Sequence, residues 1–391
     1  MTTTLSKLVR YMNSMFKYNI CRCCGGDSLI SWLSLPQSPV ANALFDKPNF
    51  DRYPLDLNYC SDCGHLQLNA APDPDTVFSE YRYKSGVSGT FIKHFEQYAK
   101  DIISKYGAGH VLEIGSNDGF LLKKFKDLGC EVIGIEPSKY LISEHEVKGV
   151  PVVTDFFGTK LVFSNNWNDS FDIVCANNVL AHIPDTLDVV KGIALALKPG
   201  GVLVVECGDQ SGIVSGQYLD NVYHEHIDYY SPYSFSVLLK RAGLVVEQVS
   251  PIPTHGMSFR IVARKIKGSS SVVFDQLDMP QESLKVKQHI QERKVKMANL
   301  LADRSFVAYG AAAKAVTSLY TLDMVNDRLI GVVDDNELKQ NCYFPGTGVL
   351  ITSPELLDKD ALVVVTAWNV FDDIKKKLVD RGHRGEILCM Q

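Results

Sequence analysis

Two cysteine pairs and one histidine-bearing run are the parts of this chain whose residue types and spacing could do chemistry. Cys21-Arg-Cys-Cys24 and Cys60-Ser-Asp-Cys63-Gly-His65 each offer a knuckle turn that can chelate one edge of a tetrahedron. Cys21, Cys24, Cys60 and Cys63 are the natural four ligands, with Cys23 and His65 as competing donors. Four thiolates leave no open position, so the expected ion is a structural Zn2+; a redox pair or unpaired thiols are the alternatives. The second feature is Asp220-Asn-Val-Tyr223-His224-Glu225-His226-Ile-Asp-Tyr229-Tyr230. Imidazole titrates near neutrality, which makes this run an acid/base candidate. A helical zinc site would want histidines at i and i+4 with a further carboxylate, and a surface loop remains the plain alternative.

A third stretch, Glu113-Ile-Gly115-Ser-Asn117-Asp118-Gly119, lies between an apolar strand and an amphipathic helix. Its glycines permit φ > 0 and let a ligand lie against the backbone. The next strand ends on Glu136-Pro137, where a carboxylate can accept from both hydroxyls of a ribose. Carboxylate and amide stand where a pyrophosphate would want bare N–H groups. They suit instead the cationic methionine end of S-adenosylmethionine. Asp155 and Phe156 at the end of the third strand suit an adenine; Asn177, Asn178 and His182 follow the fourth, on the ligand-binding edge of such a sheet. The turn is similar to motif I of class I methyltransferases.

These groups must be positioned by an alternating α/β chain, which implies a mainly parallel sheet. Strands are expected near 150–154, 171–176 and 202–206, with a helix over 90–106 and a hairpin-like return through 244–263. A long helix over 281–302, with Val286, Ile290, Met297, Leu300 and Leu301 on one side, should act as a strut, its basic run (Lys285, Lys287, Arg293, Lys294, Lys296) facing solvent. The first 20 residues are expected as a helical or frayed lead-in, and the insert carrying Pro36, Pro39, Pro48 and Pro54 as loops and short strands on the metal knot. After 305 a second α/β unit begins. Tyr309, Gly310, Ala311 and Lys314 have the form of a nucleotide-binding turn, with the lysine as a point charge for a diphosphate. Trp368 and Asn369 sit at the end of its last buried strand. The expected domains are 1–79, a zinc-binding unit; 80–265, the S-adenosylmethionine-binding unit with the histidine run; and 266–391, a second Rossmann-like α/β unit that binds sugar nucleotide.

Composition fits this reading. With 46% hydrophobic and 22% charged residues the chain is a globular one, and its net charge of -5 carries no footprint for nucleic acid. No apolar run is long enough to span a membrane, and no signal peptide is read, so a cytoplasmic location with thiols in place of disulfides is expected.

The order of parts resembles the S-adenosylmethionine-dependent nucleotide-deoxysugar C-methyltransferases, of the tetronitrose and mycarose type. The matching stretches are Cys-Arg-x-Cys-Gly from Cys21, Cys-x-x-Cys-Gly-His from Cys60, and Tyr-x-Tyr-x-Ser ending at Ser85. Glu-Ile-Gly-Ser-Asn-Asp-Gly, Tyr-His-Glu-His, His255-Gly256-x-Ser258-x-Arg260, Tyr-Gly-Ala-x-Ala-Lys and Thr-Ala-Trp-Asn complete the set. The resemblance implies methyl addition at C-3 of a nucleotide-linked 4-keto sugar (dTDP or GDP) by a monomer or homodimer. It selects His226 over His224 as the base, and places Glu225, Tyr223 and Tyr83 in the catalytic site. It assigns Ser85, His224, His255, Gly256, Ser258, Arg260, Tyr309, Gly310, Ala311, Lys314, Trp368 and Asn369 to the substrate. Two departures fall on the sugar-nucleotide side: Met257 replaces a glycine, and the loop after Tyr309 reads Gly-Ala-Ala-Ala-Lys-Ala where the pattern has Gly-Ala-Pro-Ala-Lys-Gly. Rival readings are an O- or N-methyltransferase, a zinc-containing binding protein with an inactive fold, and nicotinamide binding at the C-terminal unit.

Overall fold

The computed structural model describes residues 15–42, 44–72, 89–252, 257–268, 270, 272–274 and 277–391. Tyr83, Ser85, His255 and Gly256 lie outside these described residues. The N-terminal unit contains β1 (Met15–Lys17), β2 (Leu29–Ser38), β3 (Tyr53–Cys60), β4 (Leu66–Leu68) and β5 (Ala70–Pro72). The expected helical or frayed lead-in is corrected for its last part: Met15–Lys17 pairs antiparallel with β5. Three residues are less than a helical turn, and an open strand edge offers them ladder hydrogen bonds instead. Strands β2, β3 and β4 form an antiparallel meander. Along β3, Leu55, Leu57 and Tyr59 are buried while Pro54 is exposed and Asp56 and Asn58 are half-buried, the period of two that a one-sided sheet requires.

The central unit has β6 (His110–Ile114), β7 (Glu131–Ile135), β8 (Val152–Val153), β9 (Phe171–Asn177), β10 (Leu197–Gly208), β11 (Asp228–Tyr229), β12 (Val245–Ile252) and β13 (Ser258–Arg264). Seven of them make one sheet in the order β12-β13-β10-β9-β6-β7-β8. Strands β10, β9, β6, β7 and β8 run parallel, and β13 and β12 close the edge antiparallel. The middle strands are apolar without alternation, as Ile173–Ala176 and Val202–Val205 show, because helices cover both faces. Strand β11 is the exception. It leaves this sheet and pairs with β4, Asp228 opposite Gln67 and Tyr229 opposite Leu66, so the histidine run is sewn onto the N-terminal unit.

The helix Met279–Leu301 is the expected strut: Val286, Met297 and Leu301 are buried, Trp32 Nε1 donates to the Met279 carbonyl at 2.7 Å, and Lys285, Lys287 and Lys296 face solvent. Leu300, expected on its buried side, is exposed. The C-terminal unit is an all-parallel sheet of β14 (Phe306–Tyr309), β15 (Leu329–Val333), β16 (Ile351–Thr352), β17 (Val363–Val365) and β18 (Ile387–Cys389) in the order β16-β15-β14-β17-β18. The insert between the cysteine pairs does more than decorate the metal knot. Ala41 joins the C-terminal core, Phe45 bridges Tyr343, and Arg52 lies 4.9 Å over the Tyr320 ring.

Candidate active site

At the carboxyl end of β6 the chain turns through Gly115 (φ 66°), Asn117 (φ 49°) and Gly119 (φ 70°) into the helix Phe120–Asp127. A Cβ on Gly115 would meet Val179 at 2.8 Å, so the turn is tight against the segment after β9. Glu136, at the end of β7, accepts from the Asn117 N–H at 3.0 Å and the Ser138 N–H at 2.8 Å. Each carboxylate oxygen keeps a lone pair for a further donor. Glu113 is buried, and its Oε2 has no partner among the described residues. Burial raises Glu113 well above the usual carboxylate range, with Asp118 and Glu136 pushing the same way; burial also raises Glu136. An unpartnered oxygen of one carboxyl, with two further acidic groups nearby, suits a cation.

Asp118 is buried, its Oδ1 3.4 Å from the Phe120 N–H and its Oδ2 3.8 Å from Lys148 Nζ. Phe156 is 73% exposed beside Asp155 at the carboxyl end of β8, an apolar ring in open space beside the same edge. Asn177 Oδ1 accepts from the Glu206 N–H at 3.0 Å and Tyr98 at 3.3 Å, while its Nδ2 has no partner among the described residues. Asn178 has φ 53° and donates its N–H to the Glu206 carbonyl at 2.7 Å. Glu206 also binds His94 at 2.8 Å and Arg260 Nε at 2.7 Å, and Arg260 lies 4.2 Å over the Tyr98 ring. Arg260 and Ser258 sit on β13, with Ser258 buried.

The histidine run folds as a short 3-10 turn, Leu219–Asn221, followed by an irregular segment in which the His226 N–H returns to the Tyr223 carbonyl at 2.9 Å. His226 Nδ1 lies 2.9 Å from the Asn221 carbonyl. A carbonyl can only accept, which assigns the proton of neutral His226 to Nδ1 and the lone pair to Nε2. That lone pair takes the Tyr223 hydroxyl at 2.8 Å. His182 comes alongside, its ring centroid 4.7 Å from that of His226 and its Nδ1 2.7 Å from the Glu225 carbonyl. Burial holds the His182 pKa down, so this ring is neutral near pH 7. His226, Tyr223 and His182 are half-buried.

His224 and Glu225, between Tyr223 and His226, are buried. His224 is 1% exposed, with Nε2 on the Pro54 carbonyl at 3.1 Å, and burial pulls its pKa to about 4. Glu225 Oε1 accepts from the Asn42 N–H at 2.8 Å; its Oε2 has no partner among the described residues, and burial raises its pKa. Tyr309 is buried and donates to Asp335 at 2.9 Å. Gly310 has φ 107°, and the Ala311 N–H donates to Asp334 at 2.7 Å, so a carboxylate of the chain already uses that N–H. Lys314 is half-buried near Asp220, with its pKa lowered by burial against that attraction. Trp368 Nε1 donates to Asp220 at 2.7 Å, and Asn369 is exposed beside it. Asp220, which spacing alone did not single out, thus joins the C-terminal unit to the histidine run.

The Sγ atoms of Cys21, Cys24, Cys60 and Cys63 all lie within 4.8 Å of one another, with Cys21 to Cys63 at 3.5 Å and Cys24 to Cys60 at 3.6 Å. Zinc–thiolate bonds of about 2.3 Å put tetrahedral sulfurs about 3.8 Å apart, so the set fits zinc. The competing donors are settled by place: Cys23 is buried outside the cluster, and His65 bonds Asp228 at 3.0 Å.

Three domain matches and one relative of similar length support an S-adenosylmethionine-dependent C-methyltransferase. A zinc binding domain matches residues 21–78, a methyltransferase domain 91–249, and a C-methyltransferase C-terminal domain 253–390. Along nearly its whole length the chain is similar to the C-methyltransferase NovU of Streptomyces niveus, 26% identical over 396 aligned residues that cover 93% of this chain and 94% of that one. A ubiquinone biosynthesis O-methyltransferase of Bradyrhizobium sp. (strain ORS 278) is 28% identical over 41% of this chain and 67% of its own. Among solved structures, the PH0226 protein of Pyrococcus horikoshii OT3 is similar at a TM-score of 0.40 and 17% identity, covering 46% of this chain and 94% of that one.

Proposed function

We propose that this C-methyltransferase acts on carbon next to a ketone, at C-3 of a nucleotide-linked 4-keto-deoxysugar, through an enolate. The observation that carries the reading is the Tyr223–His226 pair. Such a C–H is too weak an acid to ionise unaided, so a positioned base is required, worth on the order of 10² to 10⁴ in rate. His226 Nε2 is that base. The Tyr223 hydroxyl, which rests on Nε2 at 2.8 Å, turns its hydrogen to the neighbouring C-4 oxygen as negative charge collects there, and so frees the lone pair for the C-3 proton. The proton on C-3 and the oxygen on C-4 belong to adjacent atoms, so one close base–donor pair serves both. The C-3 electron pair of the enolate then forms the new C–CH3 bond as the S–CH3 bond of the donor breaks and S-adenosylhomocysteine leaves, and the C-3 proton ends on Nε2.

S-adenosylmethionine supplies an electrophilic methyl, held by Glu113, Gly115, Asn117, Asp118, Glu136, Pro137, Asp155, Phe156, Asn177 and Asn178. His182, which its place after the fourth strand groups with these, flanks the base, its ring 4.7 Å from that of His226. Glu225 anchors the sugar through Oε2. Arg260 and Ser258 line the approach from β13, and Lys314, Trp368, Asn369 and the 309–311 turn receive the nucleotide side. His224, neutral and turned to Pro54, supports the site without acting as a base. Zinc holds the N-terminal fold.

The test is a panel of dTDP- and GDP-linked 4-keto-deoxysugars with S-adenosylmethionine, followed by NMR of the product. A new methyl on carbon next to the ketone, with C-3 proton exchange in D2O without donor, is expected. A methyl on oxygen or nitrogen would sink the reading.

A further inference from the structure

Arg22 lies inside the first cysteine pair, yet its guanidinium reaches out of the metal knot. Nε donates to Asp228 Oδ1 at 2.7 Å and Nη2 to Oδ2 at 2.9 Å, a forked pair. The same guanidinium holds the loop after His182: Nη2 reaches the Ile183 carbonyl at 2.6 Å and Thr186 Oγ1 at 3.0 Å, and Nη1 the Pro184 carbonyl at 2.6 Å. Asp228 is fully buried and also accepts from His65 at 3.0 Å, Tyr230 at 3.0 Å and Thr186 at 3.2 Å. It stands two residues after His226, and Ile183 directly follows His182. The two segments are bonded to each other as well, the Ile227 N–H reaching the Ala181 carbonyl at 2.7 Å.

We propose that Arg22 is a positioning residue for methyl transfer: its grip on Asp228 and on Ile183–Thr186 fixes the spacing of His226 and His182, and ties that spacing to the zinc-held knuckles. The inference rests on the reading of His226 as the base. A lysine cannot replace the fork, because a point charge meets one or two of these acceptors where the planar guanidinium meets five. Without Arg22 the Asp228 carboxylate keeps its burial and loses its main counter-charge, so the strand that carries it must shift or open.

The experiment compares zinc-loaded full-length wild type, Arg22→Lys and Arg22→Met. Zinc content and S-adenosylmethionine Kd are expected to stay within about twofold of wild type. Solvent exchange at the sugar C-3 should fall roughly ten- to hundredfold in Arg22→Met, with Arg22→Lys between, since small misplacements cost that much. The loss should appear in kcat more than in KM. Amide hydrogen exchange should quicken in 178–186 and 221–229 and not in 111–118, and stripping zinc from wild type should quicken the same two segments. Wild-type C-3 exchange and wild-type amide protection in Arg22→Met would overturn the proposal, as would a loss confined to S-adenosylmethionine binding. Should Arg22→Met not fold, Arg22→Lys and Asp228→Asn carry the same comparison. If wild type exchanges no proton of any keto-sugar nucleotide, the C-3 reading fails, while amide protection still decides the clamp.

Discussion

The Tyr223 hydroxyl and His226 Nε2 stand 2.8 Å apart, and on the other side of the same ring Nδ1 rests on the Asn221 carbonyl at 2.9 Å. The carbonyl fixes the tautomer, so the lone pair is committed to the face that carries the phenol.

Replacing that imidazole removes the base and leaves the methyl-donor turn intact. His226→Ala should lower C-3 exchange and methyl transfer by on the order of 10² to 10⁴, with S-adenosylmethionine affinity unchanged. Exchange into D2O followed by NMR, beside calorimetric titration of the donor, checks both halves. Undiminished exchange would remove His226 from the mechanism.

Glu113 and Glu136 are both raised by burial, and the sign of the pH effect follows. A carboxyl whose folded pKa exceeds its unfolded value near 4.3 favours the folded apo chain below that value, and the advantage is lost as pH rises through the raised folded values. A cationic ligand favours the ionised form, so S-adenosylmethionine should stabilise more as pH climbs across that window. The ligand-induced Tm shift should grow with pH in wild type and flatten in Glu113→Gln. A shift independent of pH would refute the placement of the cation beside Glu113.

The sulfur cluster makes a prediction by exclusion. Serine at Cys21, Cys24, Cys60 or Cys63 should abolish zinc binding, while Cys23→Ser and His65→Asn should retain it. Structural zinc contributes on the order of 10 kcal/mol in small domains, so loss should unfold the N-terminal unit and leave a biphasic melt. Metal analysis with calorimetry reads both, and zinc retained in Cys60→Ser would discard the four-thiolate site.

Glu225 separates anchoring from folding. Its Oε1 is bonded to the Asn42 N–H and its Oε2 has no partner among the described residues. Glu225→Gln keeps an acceptor for Asn42, so stability should move by no more than about 1 kcal/mol. A hydrogen bond to a charged group is worth about 1.5–3 kcal/mol, so kcat/KM should drop about ten- to hundredfold. Steady-state kinetics beside a thermal melt would show it, and unchanged kcat/KM would take Glu225 out of the sugar site.

Legibility differed sharply between parts of the chain. The β6 turn was readable because Gly115 and Gly119 mark backbone that only a strand–turn–helix needs, and the α/β alternation followed from strand-length apolar runs. Met15–Lys17 was misread, since a three-residue strand has no pattern apart from its partner. Leu300 was misplaced because helical periodicity gives a face and not the width of what packs on it. Between Cys23 and Cys24 the spacing was ambiguous, and only the path of the knuckle decided.

By itself the sequence determined what is encoded within a few residues: the paired cysteines, the glycine turn with its acidic flanks, and the histidine-bearing run. Only the tertiary structure decided the rest, including His182 beside His226, Asp220 under Trp368, Asn42 on Glu225, and Arg22 gripping Asp228. Periodicity reports the local path of the backbone, whereas these pairs join distant segments through the packing of three units around one run of chain, and no spacing records that sum.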